Sequence, residues 1–303
     1  MRRLRWVHAV GLAAGLVLQT FAGAAAADAP KVKPRYASCG DAAPEFIQAA
    51  KKNAETLDTM EWVPFGIPEI GWETYAPLAA REIGTTCGFG TPAFAQALAG
   101  FQARFNLPAD GVFGQDTFQV FKGVWQERRP FVMARAAGLC PDGPARTELA
   151  ALPKEEETFE REDRALRADV LDAYRRMVAA ARRDLPSLRD DPKLLTLFSG
   201  WRDPLDDLFR CAVDGGCDGA RRAMCSPHRT GTAIDLNLGW APDHGADSTN
   251  PVNRLHQTRT EAYRWLVKNA ARFGFVNYVY EPWHWEWVGE SAASATHAAA
   301  AAD

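Results

Sequence analysis

Beyond its first 27 residues the sequence contains no apolar run long enough to cross a membrane, so no transmembrane span is expected in the rest of the chain. A surplus of positive charge is also missing. Lys and Arg number 35 against 38 Asp and Glu, a formal net charge of -3. A nucleic-acid binder needs concentrated positive charge to replace phosphate counterions, and that class is excluded here. No internal repeat is visible. The six cysteines show no CxxC pair of the kind that builds structural zinc sites. What remains is an ordinary globular composition, 47% hydrophobic and 24% charged.

The first 27 residues read differently. Arg2, Arg3 and Arg5 form a positive start, an apolar run follows from Ala9 to Leu18, and small residues Ala24 to Ala27 precede Asp28. That order is a secretory signal, too short in its apolar core for a bilayer span, with cleavage expected near Ala27. Its removal takes away three arginines and leaves a net charge of about -6. In an exported, periplasmic protein, Cys39, Cys87, Cys140, Cys211, Cys217 and Cys225 are expected to form disulfides, with a pairing that sequence does not reveal. The competing reading is a zinc site made by Cys211, Cys217 and Cys225, whose spacings lack the usual pattern.

Residues 28–74 give little guidance beyond a helix near Glu45 to Leu57. Pro92 to Phe105 carries Phe94, Leu98, Phe101 and Phe105 at helical spacing, with Pro92 suited to a first turn. A turn-rich loop through Asp110-Gly111-Val112-Phe113-Gly114 leads to a second helix, which Thr117 or Asp116 can cap. Phe101-Gln102, then Asp-Gly-x-x-Gly, then Thr117 resembles the signature of the small helical peptidoglycan-binding domain, and the resemblance implies such a module over residues 75–140. A linker over 141–158 precedes a catalytic region over 159–290 and an Ala-rich tail over 291–303. In that region the spacing predicts a long amphipathic helix from Glu160 to Arg183, stopped by Pro186. Strands are expected at Leu194–Phe198, Ala233–Leu238, Val276–Tyr280 and Trp283–Val288. A helix over Glu261–Phe273 should end at Gly274. The fold class expected is α+β, a helical module followed by a small antiparallel sheet flanked by helices.

Three segments carry candidate chemistry. In Ser226-Pro-His228-Arg-Thr-Gly-Thr-Ala-Ile-Asp235 the carboxylate of Asp235 falls inside an apolar strand, where it is costly without a partner. A zinc ion would be that partner, and His228 is close enough along the turn to share it. In Glu281-Pro-Trp-His284-Trp-Glu286-Trp, period two puts His284 and Glu286 on one face and the tryptophans on the other. A regular strand sends Glu281 to the wrong side, and a kink at Pro282 can return it. Two imidazoles and one carboxylate leave a coordination position open for water, and Glu281 is placed to take and return a proton. The third segment is Phe198-Ser-Gly-Trp-Arg202. A fixed Arg202 can hold a carboxylate, unless it is a surface residue paired with Asp203 or Asp206. Ser226 either bonds substrate or caps a turn. His244 and His256 read as solvated, Glu286 as a rival to Asp235 without family support, and Trp283, Trp285 and Trp287 as core.

Ser-x-His-x-x-Gly-x-Ala-x-Asp followed by Glu-x-Trp-His resembles the VanY-type zinc D-alanyl-D-alanine carboxypeptidase family over roughly Asp163 to Gly289. The resemblance implies zinc held by His228, Asp235 and His284, with Glu281 as catalytic base and Arg202 reading the free carboxylate of a peptidoglycan stem peptide. The implied reaction is removal of the terminal D-alanine. Two alternatives stay open: an endopeptidase on the same scaffold, and an inactive cell-wall-binding protein.

Overall fold

The computed structural model describes residue 39 and residues 44–159, 164–214 and 225–292. The signal-like segment and the Ala-rich tail from residue 293 onward lie outside them, as does Cys217. Helix α1 spans Ile47–Thr56, followed by a hairpin of β1 (Glu61–Trp62) and β2 (Glu69–Ile70), then α2 (Ala76–Glu82). Helices α3 (Pro92–Arg104), α4 (Gln115–Glu127) and α5 (Pro130–Ala136) come next. A second hairpin joins β3 (Leu149–Ala151) to β4 (Ala165–Arg167). Then follow α6 (Ala168–Asp184), α7 (Ser187–Asp190), β5 (Leu197–Ser199), α8 (Pro204–Asp214), β6 (Ala233–Leu236), α9 (Pro251–Arg259), α10 (Glu261–Asn269), β7 (Phe275–Tyr278) and β8 (Glu281–Trp287). The last four-stranded sheet is antiparallel throughout, in the order β5-β6-β8-β7. The fold is α+β, as expected. Among the described residues no helix is long and apolar enough to cross a membrane.

One apolar core runs from Trp62 to Trp285. Phe94, Phe101, Phe113, Phe118 and Phe121 of the helical part join Val170, Tyr174, Met177, Ile234 and Leu236 of the sheet region. The local signals explain most of the helices. Thr91 caps α3 by accepting from the Phe94 amide at 3.3 Å, with Pro92 in the first turn. Thr260 does the same for α10, and a short turn then ends at Gly274 with φ +88°.

The Asp-Gly loop shows what its residues do. Gln102 Nε2 donates to Asp110 Oδ1 at 2.9 Å, to Val112 O at 3.1 Å and to Thr117 Oγ1 at 3.1 Å, while its Oε1 accepts from the Gly111 amide at 2.8 Å. Thr117 is therefore buried in a polar knot and caps nothing. Helix α4 begins at Gln115, after Gly114, with no side-chain cap, which corrects the expectation for Thr117 and Asp116.

Other boundaries moved for tertiary reasons. The long helix expected from Glu160 starts at Ala168 in the described residues, and residues 160–163 of its expected range lie outside them. Ala165, Leu166 and Arg167 pair instead with Ala151, Ala150 and Leu149, inside the stretch read as linker. Strand β5 starts at Leu197 because Leu195 has φ +64°, which no strand accommodates. Helix α9 carried no apolar periodicity since its buried face is polar. Asn253, Arg254 and Gln257 are all nearly inaccessible and hydrogen-bonded to the 239–248 loop and to Glu69 and Tyr75. The described cysteines are all in disulfides. Cys39 is bonded to Cys87 and Cys140 to Cys225, and Cys211 is also oxidised, so the three-cysteine zinc reading falls.

Gly111 has φ +71°, and a Cβ there would meet the Ala95 carbonyl oxygen at 2.5 Å. Gly111→Ala is expected to destabilise the protein by about 2 kcal/mol or more in urea unfolding. Gly100→Ala, in α3 with open space around it, should be neutral or stabilise by up to about 1 kcal/mol. Equal effects at the two positions would contradict this account of the loop.

Candidate metal centre

Strand pairing builds the site. In the β6–β8 ladder Asp235 lies directly opposite His284, and Ala233 opposite Glu286. His228 precedes β6 on a single 3-10 turn, Pro227–Thr230. Ser226 caps that turn, its Oγ accepting from the His228 amide at 3.3 Å. Gly231 closes the turn with φ +69°, a conformation that favours glycine. The three side chains converge. His284 Nδ1 is 2.8 Å from Asp235 Oδ1, and His228 Nε2 is 3.2 Å from Asp235 Oδ2. One ligand atom from each residue lies within 4.8 Å of the others, and all three side chains are buried.

The far nitrogens of both rings are already engaged. His228 Nδ1 is 2.7 Å from the Gly200 carbonyl oxygen, which can only accept, so this nitrogen carries a proton. His284 Nε2 faces Glu286 Oε1 at 3.1 Å, and Glu286 is an ionised carboxylate that likewise only accepts. Burial opposes its charge, but Arg129 and His284 bring its pKa down to about 2. With both rings neutral, the nitrogens turned toward Asp235 would present lone pairs to a carboxylate. Acceptors crowded this way in a dry site need a cation among them. A divalent ion with nitrogen and oxygen ligands fits, and the residues present suit zinc.

The ionisation pattern agrees. Burial pushes His228 down and keeps it neutral, against the pull of Asp235. Burial alone would raise Asp235, yet His228 and His284 hold it far below the usual carboxylate range. His284 overcomes burial through its bonds to Asp235 and Glu286 and is raised to about 9. A proton on His284 or a metal cation would each balance the charge of Asp235.

Glu281 opens β8, half-buried. The β7–β8 register slips beside it, from Asn277 opposite Trp285 to Tyr278 opposite Glu281. Asn277 Nδ2 stabilises the slip by donating to Pro282 O at 3.3 Å and His284 O at 3.0 Å. Burial raises the Glu281 pKa, and the group feels His284, Asp235, Arg129 and Arg202. Arg202 follows β5, its amide donating to His228 O at 3.2 Å. Asp203 is engaged with Arg146 at 2.6 Å. His244 and His256 are not among the converging groups. Trp283 and Trp285 are buried in the core. No residue pattern points to Gly200 O, which is a backbone atom, or to Arg129 and Asn277, which carry no motif.

With the His284 pKa raised to about 9, zinc binding at pH 7 should release about one proton. Calorimetry in buffers of different ionisation enthalpy measures that number. Release near zero would mean that His284 was not the protonated group.

Residues 163–290 match the model of the family described as VanY: D-alanyl-D-alanine carboxypeptidase. A D-alanyl-D-alanine carboxypeptidase of Enterococcus faecalis (strain ATCC 700802 / V583) is 35% identical over 80 residues, which are 23% of this chain and 25% of that protein. The chain thus spans about a quarter of the curated relative it matches. Among solved structures, the LdcB LD-carboxypeptidase is 21% identical with a TM-score of 0.39, covering 52% of this chain and 76% of the other. VanYB in complex with D-alanine-D-alanine is 20% identical with a TM-score of 0.34, covering 54% and 88%. A VanY D,D-pentapeptidase mutant in complex with Zn(II) is 19% identical with a TM-score of 0.31, covering 52% and 88%. The segment that holds His228, Asp235, Glu281 and His284 is thus the one whose sequence matches the VanY D-alanyl-D-alanine carboxypeptidase model, over residues 163–290.

Proposed function

We propose that the protein is an exported, zinc-dependent D-alanyl-D-alanine carboxypeptidase that removes the terminal D-alanine from peptidoglycan stem peptides. The observation that carries this reading is the meeting of His228 Nε2, Asp235 and His284 Nδ1, with the opposite nitrogen of each ring held by an acceptor. These three residues would hold the ion. When bound, zinc supplies Lewis acidity to the scissile carbonyl and to an attacking water.

The remaining work falls to the chain. Glu281 has a raised pKa from burial, which brings a carboxylate closer to the range useful for proton transfer near neutrality. It takes a proton from water as the oxygen joins the carbonyl carbon. It then gives that proton to the nitrogen as the amide bond breaks, leaving a shortened peptide and free D-alanine. Arg202, held beside His228 through its backbone, presents a guanidinium for the free carboxylate of the substrate. That contact would restrict cleavage to the chain end. Residues 75–140 would add wall affinity as a peptidoglycan-binding-like module. The segment read as a signal would direct the protein to the periplasm.

Incubation with a muramyl pentapeptide should yield the tetrapeptide and one D-alanine by mass analysis, and cross-linked dimers should stay intact. Cleavage of dimers would favour an endopeptidase, and no cleavage of either would sink the enzymatic reading. Glu281→Gln should lower kcat by roughly 100- to 10,000-fold with zinc content unchanged. Activity near that of the unaltered chain would remove Glu281 from its role.

A further inference from the structure

Glu286 holds His284, and its own charge is balanced from a part of the chain outside the family match. Arg129 lies at the start of α5, immediately before Pro130. Its Nε is 3.1 Å from Glu286 Oε1, and its Nη2 bonds the same oxygen. Its Nη1 donates to Gln126 Oε1 at 2.5 Å. The guanidinium carbon sits 4.1 Å from the centre of the Tyr278 ring, and that ring meets the His284 ring edge-on with centroids 6.1 Å apart. Arg129 is 5% exposed and Glu286 2%.

We propose that Arg129 is a positioning residue of the metal centre, acting on His284 through Glu286. The inference rests on reading the site as a metal centre. The Oε1 atom of Glu286 takes hydrogen bonds from both Arg129 and His284, so the guanidinium fixes the very oxygen that orients the imidazole. Arg129 is itself held by Gln126, Tyr278 and Glu286, which makes it a well-braced anchor. Without its charge Glu286 would be a second buried carboxylate on the His284 ring, opposite Asp235, with no counter-charge of its own. The helical part of the chain thus completes the site that residues 163–290 begin. A salt bridge serving only to join two parts of the core would affect stability and leave metal affinity alone.

The test uses the full chain as R129Q, R129K, E286Q and the R129Q/E286Q double variant, each first shown to be folded without metal by circular dichroism and thermal unfolding. Zinc dissociation constants come from competition with a chelating dye, and cobalt substitution supplies an absorption spectrum of the ligand field. R129Q is expected to weaken zinc binding about 10- to 100-fold and to shift the cobalt bands. R129K should recover part of the loss, and the double variant should bind no more weakly than the worse single one, because the two residues act in series. A folded R129Q that binds zinc within about twofold of the unaltered chain, with the same cobalt spectrum, overturns the proposal, as do losses that multiply in the double variant. If R129Q does not fold, E286Q decides, since it keeps size and an acceptor for Arg129; unchanged zinc affinity there overturns it equally. An unaltered chain that binds no zinc defeats the metal-centre reading itself, and this inference with it.

Discussion

The carboxylate of Asp235 sits inside a strand whose neighbours Ala233, Ile234 and Leu236 are almost wholly removed from solvent. A charge in that position has to be matched, and both oxygens of Asp235 are matched by imidazoles, one from the opposite strand and one from the preceding turn. Much else follows from this. The antiparallel pairing of β6 with β8 sets Asp235 against His284. The glycine-closed turn lifts His228 to the other oxygen. Both rings then use their remaining nitrogen on acceptors, which turns the other nitrogen of each toward the Asp235 carboxylate.

Around this centre the fold supplies rigidity by burying polar side chains that make several hydrogen bonds each. Asn277 clamps the slipped register beside Glu281, and the polar face of α9 holds the 239–248 loop through Asn253 and Gln257. Arg254 links Glu69 and Tyr75 at 2.7 Å each and lies 4.5 Å from the Tyr280 ring, next to Glu281. Buried networks of this kind are stable only when their members are satisfied, and they then admit one arrangement. A disulfide from Cys140 to Cys225 ties the approach to the His228 turn to the segment after α5.

The separate parts of the sequence differ in how openly they declare their roles. His228, Asp235, Glu281 and His284 stood out because each is a polar group set in an apolar or turn context that gives it no local partner. Ser226 also stood out, and its hydroxyl proved to cap the turn. Arg129 did not stand out, since an arginine before a proline in a basic stretch has many uses. Glu286 was visible as a carboxylate on the His284 face and a rival to Asp235, but its contact with His284 is shared with that arginine 157 positions away. The helix expected from Glu160 failed for a similar reason. Its first residues have helical propensity, yet Leu149 to Ala151 offered a pairing edge that only the folded chain brings near.

Short-range physics written in the sequence determined the helices with their caps, the alternation of β6 and β8, the turn before Asp235 and the identity of the groups that meet there. Residues a few positions apart govern each of those features, so their pattern is legible in one dimension. Tertiary structure alone decided which ring nitrogen faces Asp235, how Glu281 comes beside the site, and that the helical part contributes Arg129 to it. Those outcomes depend on contacts between segments more than a hundred residues apart, or on backbone atoms that every residue carries, and no local pattern encodes either.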